Sequence, residues 1–179
     1  MLTTRETLES QAEKLGIPIF DTLRPNDEND GLYVRHKGGA AYILMKSCLP
    51  DSKYVTVLAE EIGHHFATTG IVVAQGSVPD IKNENLGQAW AINLLAPVCK
   101  FAYAHVLSGC TTPAQFATEW GLNDDFIIAA INYHKRKDTW PASLWELFRS
   151  ISKPDYTETL RRHHIEAMIP TQKPKLYVR

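Results

Sequence analysis

A chain of 179 residues has room for one domain with a proper core. Its apolar share of 44% and charged share of 22% are ordinary for a globular protein, so neither a fibrous nor a disordered class fits. The net charge of −1 leaves no global field that would select nucleic acid or an anionic surface. Cys48, Cys99 and Cys110 form an odd set without a C-x-x-C pair. Met1 to Glu6 opens a charged helix with no apolar signal core, and no run approaches the roughly 18 apolar residues of a membrane span. These features predict free thiols in a reducing cytoplasm and no membrane association.

Taken in chain order, the first element is an amphipathic helix over Thr3 to Leu15, with Leu8, Ala12 and Leu15 on its apolar side. Thr3 is its N-cap, and Glu6 completes a capping box. Ile17 to Phe20 reads as a short strand, placed at a sheet edge by Pro18. The polar stretch from Arg24 to Gly31 is a loop. Gly31 to His36 and Ala40 to Met45 form a hairpin through Lys37-Gly38-Gly39.

A helix then runs from about Lys53 to Thr68, with Val55, Ala59, Ile62 and Phe66 as its apolar stripe and Thr69-Gly70 as its end. It carries Leu58-Ala59-Glu60-Glu61-Ile62-Gly63-His64-His65. This octapeptide matches the His-Glu-x-x-His metal helix of zinc peptidases with one ligand changed. Glu60 stands in the first imidazole position, Glu61 in the general-base position and His64 in the second imidazole position. Residues four apart share a helix face, so Glu60 and His64 could grip one ion. A second register, Glu61 with His65, has the same spacing but puts Ile62 where a base is needed. A surface helix whose acids and imidazoles sit in water is the plain alternative. Gly63 is costly in a helix interior, by about 1 kcal/mol against alanine, unless another backbone approaches closely.

Ile71 to Asp80 reads as a loop that could cover the site. The helix from Asn83 to Pro97 follows, with Trp90, Leu94 and Val98 at helical spacing. Glu84, Gly87, Gln88 and Ala91 lie on another face. Small residues on that face would let it approach Gly63 and bring Glu84 over Glu60 and His64 as a third ligand. The alternative for Glu84 is an N-terminal carboxylate favoured by the helix dipole. Beyond Pro97 the chain reads as helical. Lys100 to Leu107 continues the helix. Thr112 and Pro113 start the next, which Gly121 ends, and Asn123 caps another. Pro141 to Ile151 and Thr157 to Met168 add two more, before a solvated basic tail with Arg161, Arg162, Lys173, Lys175 and Arg179. Thr112 to Lys137 has a helix-turn-helix outline, but Asp124 and Asp125 at the start of its second helix would repel phosphates.

From about Leu8 to Tyr133 these motifs resemble the ImmA/IrrE family of metallo-endopeptidases. They include Lys14-Leu15-Gly16-Ile17, Gly31-Leu32-Tyr33, Ala40 to Leu44, Val57 to His65, Glu84, Trp90-Ala91 and Leu94-Leu95-Ala96-Pro97. The resemblance implies that Glu60, His64 and Glu84 hold one divalent metal, zinc or else manganese, and that Glu61 is the catalytic base. It implies a helix-turn-helix repressor, encoded by a phage or mobile element, as protein substrate; the net charge and the Asp124–Asp125 pair argue separately against direct nucleic-acid contact. Glu60 in the first histidine position departs from the main family pattern and makes the site more oxygen-rich. The expected fold is α+β, a small N-terminal antiparallel sheet packed on a zincin-like metal helix followed by a mostly helical half. The expected division is a peptidase domain over 1–137 and a helical extension over 138–179. Tyr103, His105 and His134 are the candidates for stabilising an oxyanion, by chemistry alone. A module that captures a repressor without cutting it, and a DNA-binding regulator, are the competing functions.

Overall fold

A computed structural model describes residues 3–36, 38–67 and 81–151. Its element order is α1 (Thr4–Lys14), β1 (Ile19–Leu23), β2 (Gly31–Arg35), β3 (Ala41–Lys46), α2 (Asp51–Ala67), α3 (Ile81–Leu95), α4 (Val98–Ser108), α5 (Pro113–Trp120), α6 (Asp124–Arg136) and α7 (Leu144–Ile151). The class is α+β. The proposed cover loop over 71–80, the end of the metal helix at Thr69-Gly70, the helix over 157–168 and the basic tail lie outside the described residues.

Local chemistry accounts for most element ends. Thr3 and Glu6 form the reciprocal capping box of α1. Thr112 and Gln115 form a second one at α5, with Pro113 in the first turn, and Gly121 closes that helix in the left-handed region at φ +64. Asn123 occupies the cap position of α6 without a capping bond. Its side-chain oxygen instead accepts from the buried Thr56 hydroxyl on α2.

The sheet has the order β1-β3-β2. The hairpin of β2 and β3 is antiparallel, as its turn demands, but β1 pairs parallel to β3, so the sheet is mixed. The loop over 24–30 is long enough to cross the width of an intervening strand, about 10 Å. This lets β3 insert between β1 and β2. The centre suits β3, which carries the fully buried Ile43 and Met45, while β1 exposes Phe20, Asp21 and Thr22. Both edges of a central strand are paired, so polar and proline-flanked segments go outside.

Helix α2 is the hub. It packs on α1, on β2 and β3, and most extensively on α3. Leu58, Ala59 and Ile62 are fully buried with Ile92 and Leu95 of α3. Phe66 departs from the expected stripe: it is 45% exposed, with its ring stacked on Trp90. Among the described residues one stretch, 85–108, is long and apolar enough by length and composition to cross a membrane, a test that buried core helices also pass. It is interrupted between α3 and α4, and 50% of its most apolar window is buried in the fold.

That interruption at Ala96-Pro97 frees two carbonyls, and both are satisfied. Lys100 Nζ donates to Leu95 O at 2.8 Å, and its ammonium lies over Trp120; burial pushes it down to about 8. His134 Nε2–H donates to Ala96 O at 2.9 Å, while Nδ1 faces the Thr139 hydroxyl at 3.1 Å. Phe101 gathers the rings of Phe116, Trp120, His134 and Trp140 edge-on around this junction. Helix α7 packs on α4, so residues just past the expected boundary at 137 join the same helical half.

His134 is 3% exposed, and burial holds its imidazole below the ordinary value. The unfolded chain takes up this proton near pH 6.5, roughly, whereas the fold resists it. Stability from this group is therefore complete above the unfolded value and is lost as pH falls toward the depressed folded value. Calorimetric melting between about pH 4.5 and 7.5 should show Tm falling on the acid side, with a shallower fall in His134→Gln. An unchanged slope in the variant would remove His134 from the acid response.

Candidate metal centre

Two neighbouring ridges of α2 face different partners. One ridge comprises Lys53, Val57, Glu61 and His65, each four residues after the last, and it lies along β2. Lys53 pairs with Asp30, which also binds Lys46 at 2.7 Å; the two ammonium groups hold the Asp30 carboxyl below the usual range. Gly31 comes next. A Cβ there would lie 2.5 Å from Val57 and 2.9 Å from the Glu61 carboxylate. Tyr33 follows and makes two bonds to the ridge. Its amide N–H donates to Glu61 Oε2 at 2.6 Å, and its hydroxyl lies 2.8 Å from His65 Nδ1.

The β2 register explains the first of these. His36 N–H donates to Ala40 O and Lys46 N–H to Asp30 O, so even-numbered β2 residues exchange bonds with β3. The Tyr33 amide therefore points to the open edge of the sheet, and the Glu61 carboxylate reaches it there. Glu61 is only 9% exposed, so the bond satisfies a buried charge and an edge donor together. Burial raises the Tyr33 phenol, and burial with the nearby Arg35 charge lowers the His65 imidazole. The His65 tautomer sets which of the two donates.

The other ridge carries Glu60, Gly63 and His64 and meets α3. A Cβ on Gly63 would lie 2.6 Å from Gly87 O and 3.1 Å from Gly87 Cα, so the two backbones touch. A Cβ on Gly87 would lie 2.7–2.9 Å from three ring atoms of His64. The imidazole thus occupies the space that the absent side chain leaves. Glu60, half-buried, sits one turn before His64. Glu84 belongs to α3, three residues before Gly87, and its side chain lies outside the described residues. Among the described residues no three His, Cys, Asp or Glu side chains form a metal-holding group. Within the described residues the ridge offers one carboxylate, Glu60, and one imidazole, His64, four residues apart on α2.

The oxyanion candidates are engaged elsewhere. Tyr103 packs edge-on against Phe148 of α7, His105 Nδ1 bonds Cys110 O at 2.8 Å, and His134 locks the α3–α4 junction. None of these contacts involves α2. Tyr33 is the residue that sequence reasoning missed. Strand alternation put Gly31 and Tyr33 on one face, but nothing local told that this face would meet Glu61 and His65. Asp124 and Asp125 are both exposed in the first turn of α6, where a groove-reading helix would meet phosphates. Comparison of the chain with family models, with curated proteins and with solved structures finds no match in any of the three.

Proposed function

We propose that the chain is a metal-dependent endopeptidase domain of the kind its α2 and α3 motifs resemble, acting on a partner regulator such as a helix-turn-helix repressor. Glu60, His64 and Glu84 would hold one divalent ion. The observation that carries the reading is the His64 ring seated on Gly87, which turns the Glu60–His64 ridge toward the helix that bears Glu84. A divalent ion there supplies Lewis-acid polarisation of the scissile carbonyl and raises the acidity of water. Glu61, its carboxylate fixed by the Tyr33 amide, takes a proton from water as the water oxygen attacks the carbonyl carbon. It then delivers that proton to the amine leaving group as the C–N bond breaks.

A second reading has its own support. A buried Glu61 already bonded to a strand edge is what a scaffold would keep if it captured a repressor without hydrolysing it.

Metal content separates the site from a merely structural helix. Purified protein should carry about one zinc per chain by elemental analysis, and His64→Ala or Glu84→Ala should lose it while retaining a cooperative melt. Full zinc in His64→Ala would defeat the ligand set. Two carboxylates neutralise a divalent ion, so zinc in this site polarises its ligands less than zinc held by two imidazoles. Glu60→His should therefore tighten zinc binding in a competition titration; an unchanged affinity would show that Glu60 does not touch the ion.

A further inference from the structure

Helix α2 carries two carboxylate–imidazole pairs of identical spacing, Glu60 with His64 and Glu61 with His65. Helical geometry alone gives each pair the same ability to grip an ion, since both are four residues apart. Something outside the helix must choose between them. We propose that Tyr33 is that selector, a positioning residue that withholds the Glu61–His65 pair from metal by engaging both of its members at once. The inference rests on the metal-site reading above.

Three observations carry it. The Tyr33 amide donates to Glu61 Oε2 at 2.6 Å and its hydroxyl bonds His65 Nδ1 at 2.8 Å, so one residue occupies a potential ligand atom on each member of the pair. Tyr33 is itself 6% exposed and its ring meets that of His65 edge-on, so the hydroxyl has little freedom to leave. The α2 ridge beneath it is anchored further along by Lys53 on Asp30 and by the Gly31–Val57 contact. The strand therefore cannot slide along the helix to release one bond without breaking the others. In the other pair, the His64 ring lies on Gly87 of α3. If the Tyr33 hydroxyl donates to Nδ1, the His65 proton sits on Nε2 and neither ring nitrogen offers a lone pair to an ion.

The test is a Zn²⁺ titration of the full chain by calorimetry, in wild type, Tyr33→Phe, His64→Ala and the Tyr33→Phe/His64→Ala double variant. Tyr33→Phe removes the hydroxyl but keeps the ring and the amide bond to Glu61. His64→Ala should lower zinc affinity by more than about a hundredfold. The double variant should recover at least about tenfold of that loss, because freed His65 can now join Glu61; adding His65→Ala should abolish the recovery. A double variant as weak as His64→Ala overturns the selector role and leaves the metal-site reading intact. Should wild type bind no zinc, that reading fails; zinc binding by Tyr33→Phe alone would then still support the selector, and none would overturn it too. Long-range ¹H–¹⁵N correlation of the metal-free wild type reads the same bond without any variant. His65 should be held as the Nε2–H tautomer, and a dominant Nδ1–H form overturns the proposal even if Tyr33→Phe fails to fold.

Discussion

Glu61→Gln should bind zinc as wild type does, melt within a few degrees of it, and cleave the partner protein about 10²–10⁴-fold more slowly. The reason lies in the bond that Glu61 makes. Tyr33 offers its amide at the open edge of β2, and the carboxylate accepts it at 2.6 Å. A glutamine oxygen accepts the same bond, so the strand stays seated on the helix. Glutamine does not take a proton from water at neutral pH, so only proton transfer is lost. Glu61→Ala removes both functions and leaves a buried N–H without an acceptor, at a cost of about 1–3 kcal/mol. The two variants thus divide structure from chemistry. Cleavage by Glu61→Gln at the wild-type rate would reduce Glu61 to a strand cap. A wild type that carries zinc and binds its partner but leaves it intact would favour capture over hydrolysis.

Alanine at the two helix-contact glycines should behave oppositely to helix propensity and differently from each other. In an isolated helix either change would stabilise, by about 1 kcal/mol. At Gly63 the new methyl meets Gly87 O at 2.6 Å and Gly87 Cα at 3.1 Å, which are backbone atoms that cannot swing aside. Helices α2 and α3 must separate, and the most extensive packing contact of the fold loosens. Gly63→Ala should lose about 1–3 kcal/mol of stability in denaturant unfolding. At Gly87 the nearest atoms to the methyl are those of the His64 ring, at 2.7–2.9 Å. A side chain can rotate away, so Gly87→Ala should cost less stability and more zinc, because the displaced imidazole no longer faces α3. Equal stability losses with zinc retained in both would show that the Gly87 cradle does not position His64.

The elements were legible because their signals are local. Capping boxes at Thr3 and Thr112 and the left-handed glycine at Gly121 act within a few residues of the ends they define. Gly63 was legible in a different way, as a cost in helix propensity that only a close backbone could repay, and Gly87 is that backbone. The parallel pairing of β1 was not legible. A strand of five residues has no sequence mark for the direction of its neighbour, and insertion of β3 depended on which strand was most apolar.

The candidate site divides in the same way. Spacing along the chain established that α2 carries carboxylates and imidazoles in ligand register, and it established this twice over, for Glu60 with His64 and for Glu61 with His65. Successive helix residues are rotated by about 100°, and the register is blind to which direction each pair faces. That rotation was decided by residues distant in sequence. Tyr33 holds Glu61 and His65 against β2, and Gly87 receives His64 on α3. A helix brings its own side chains into line by hydrogen bonds between near neighbours, but it is oriented about its axis only by what it packs against.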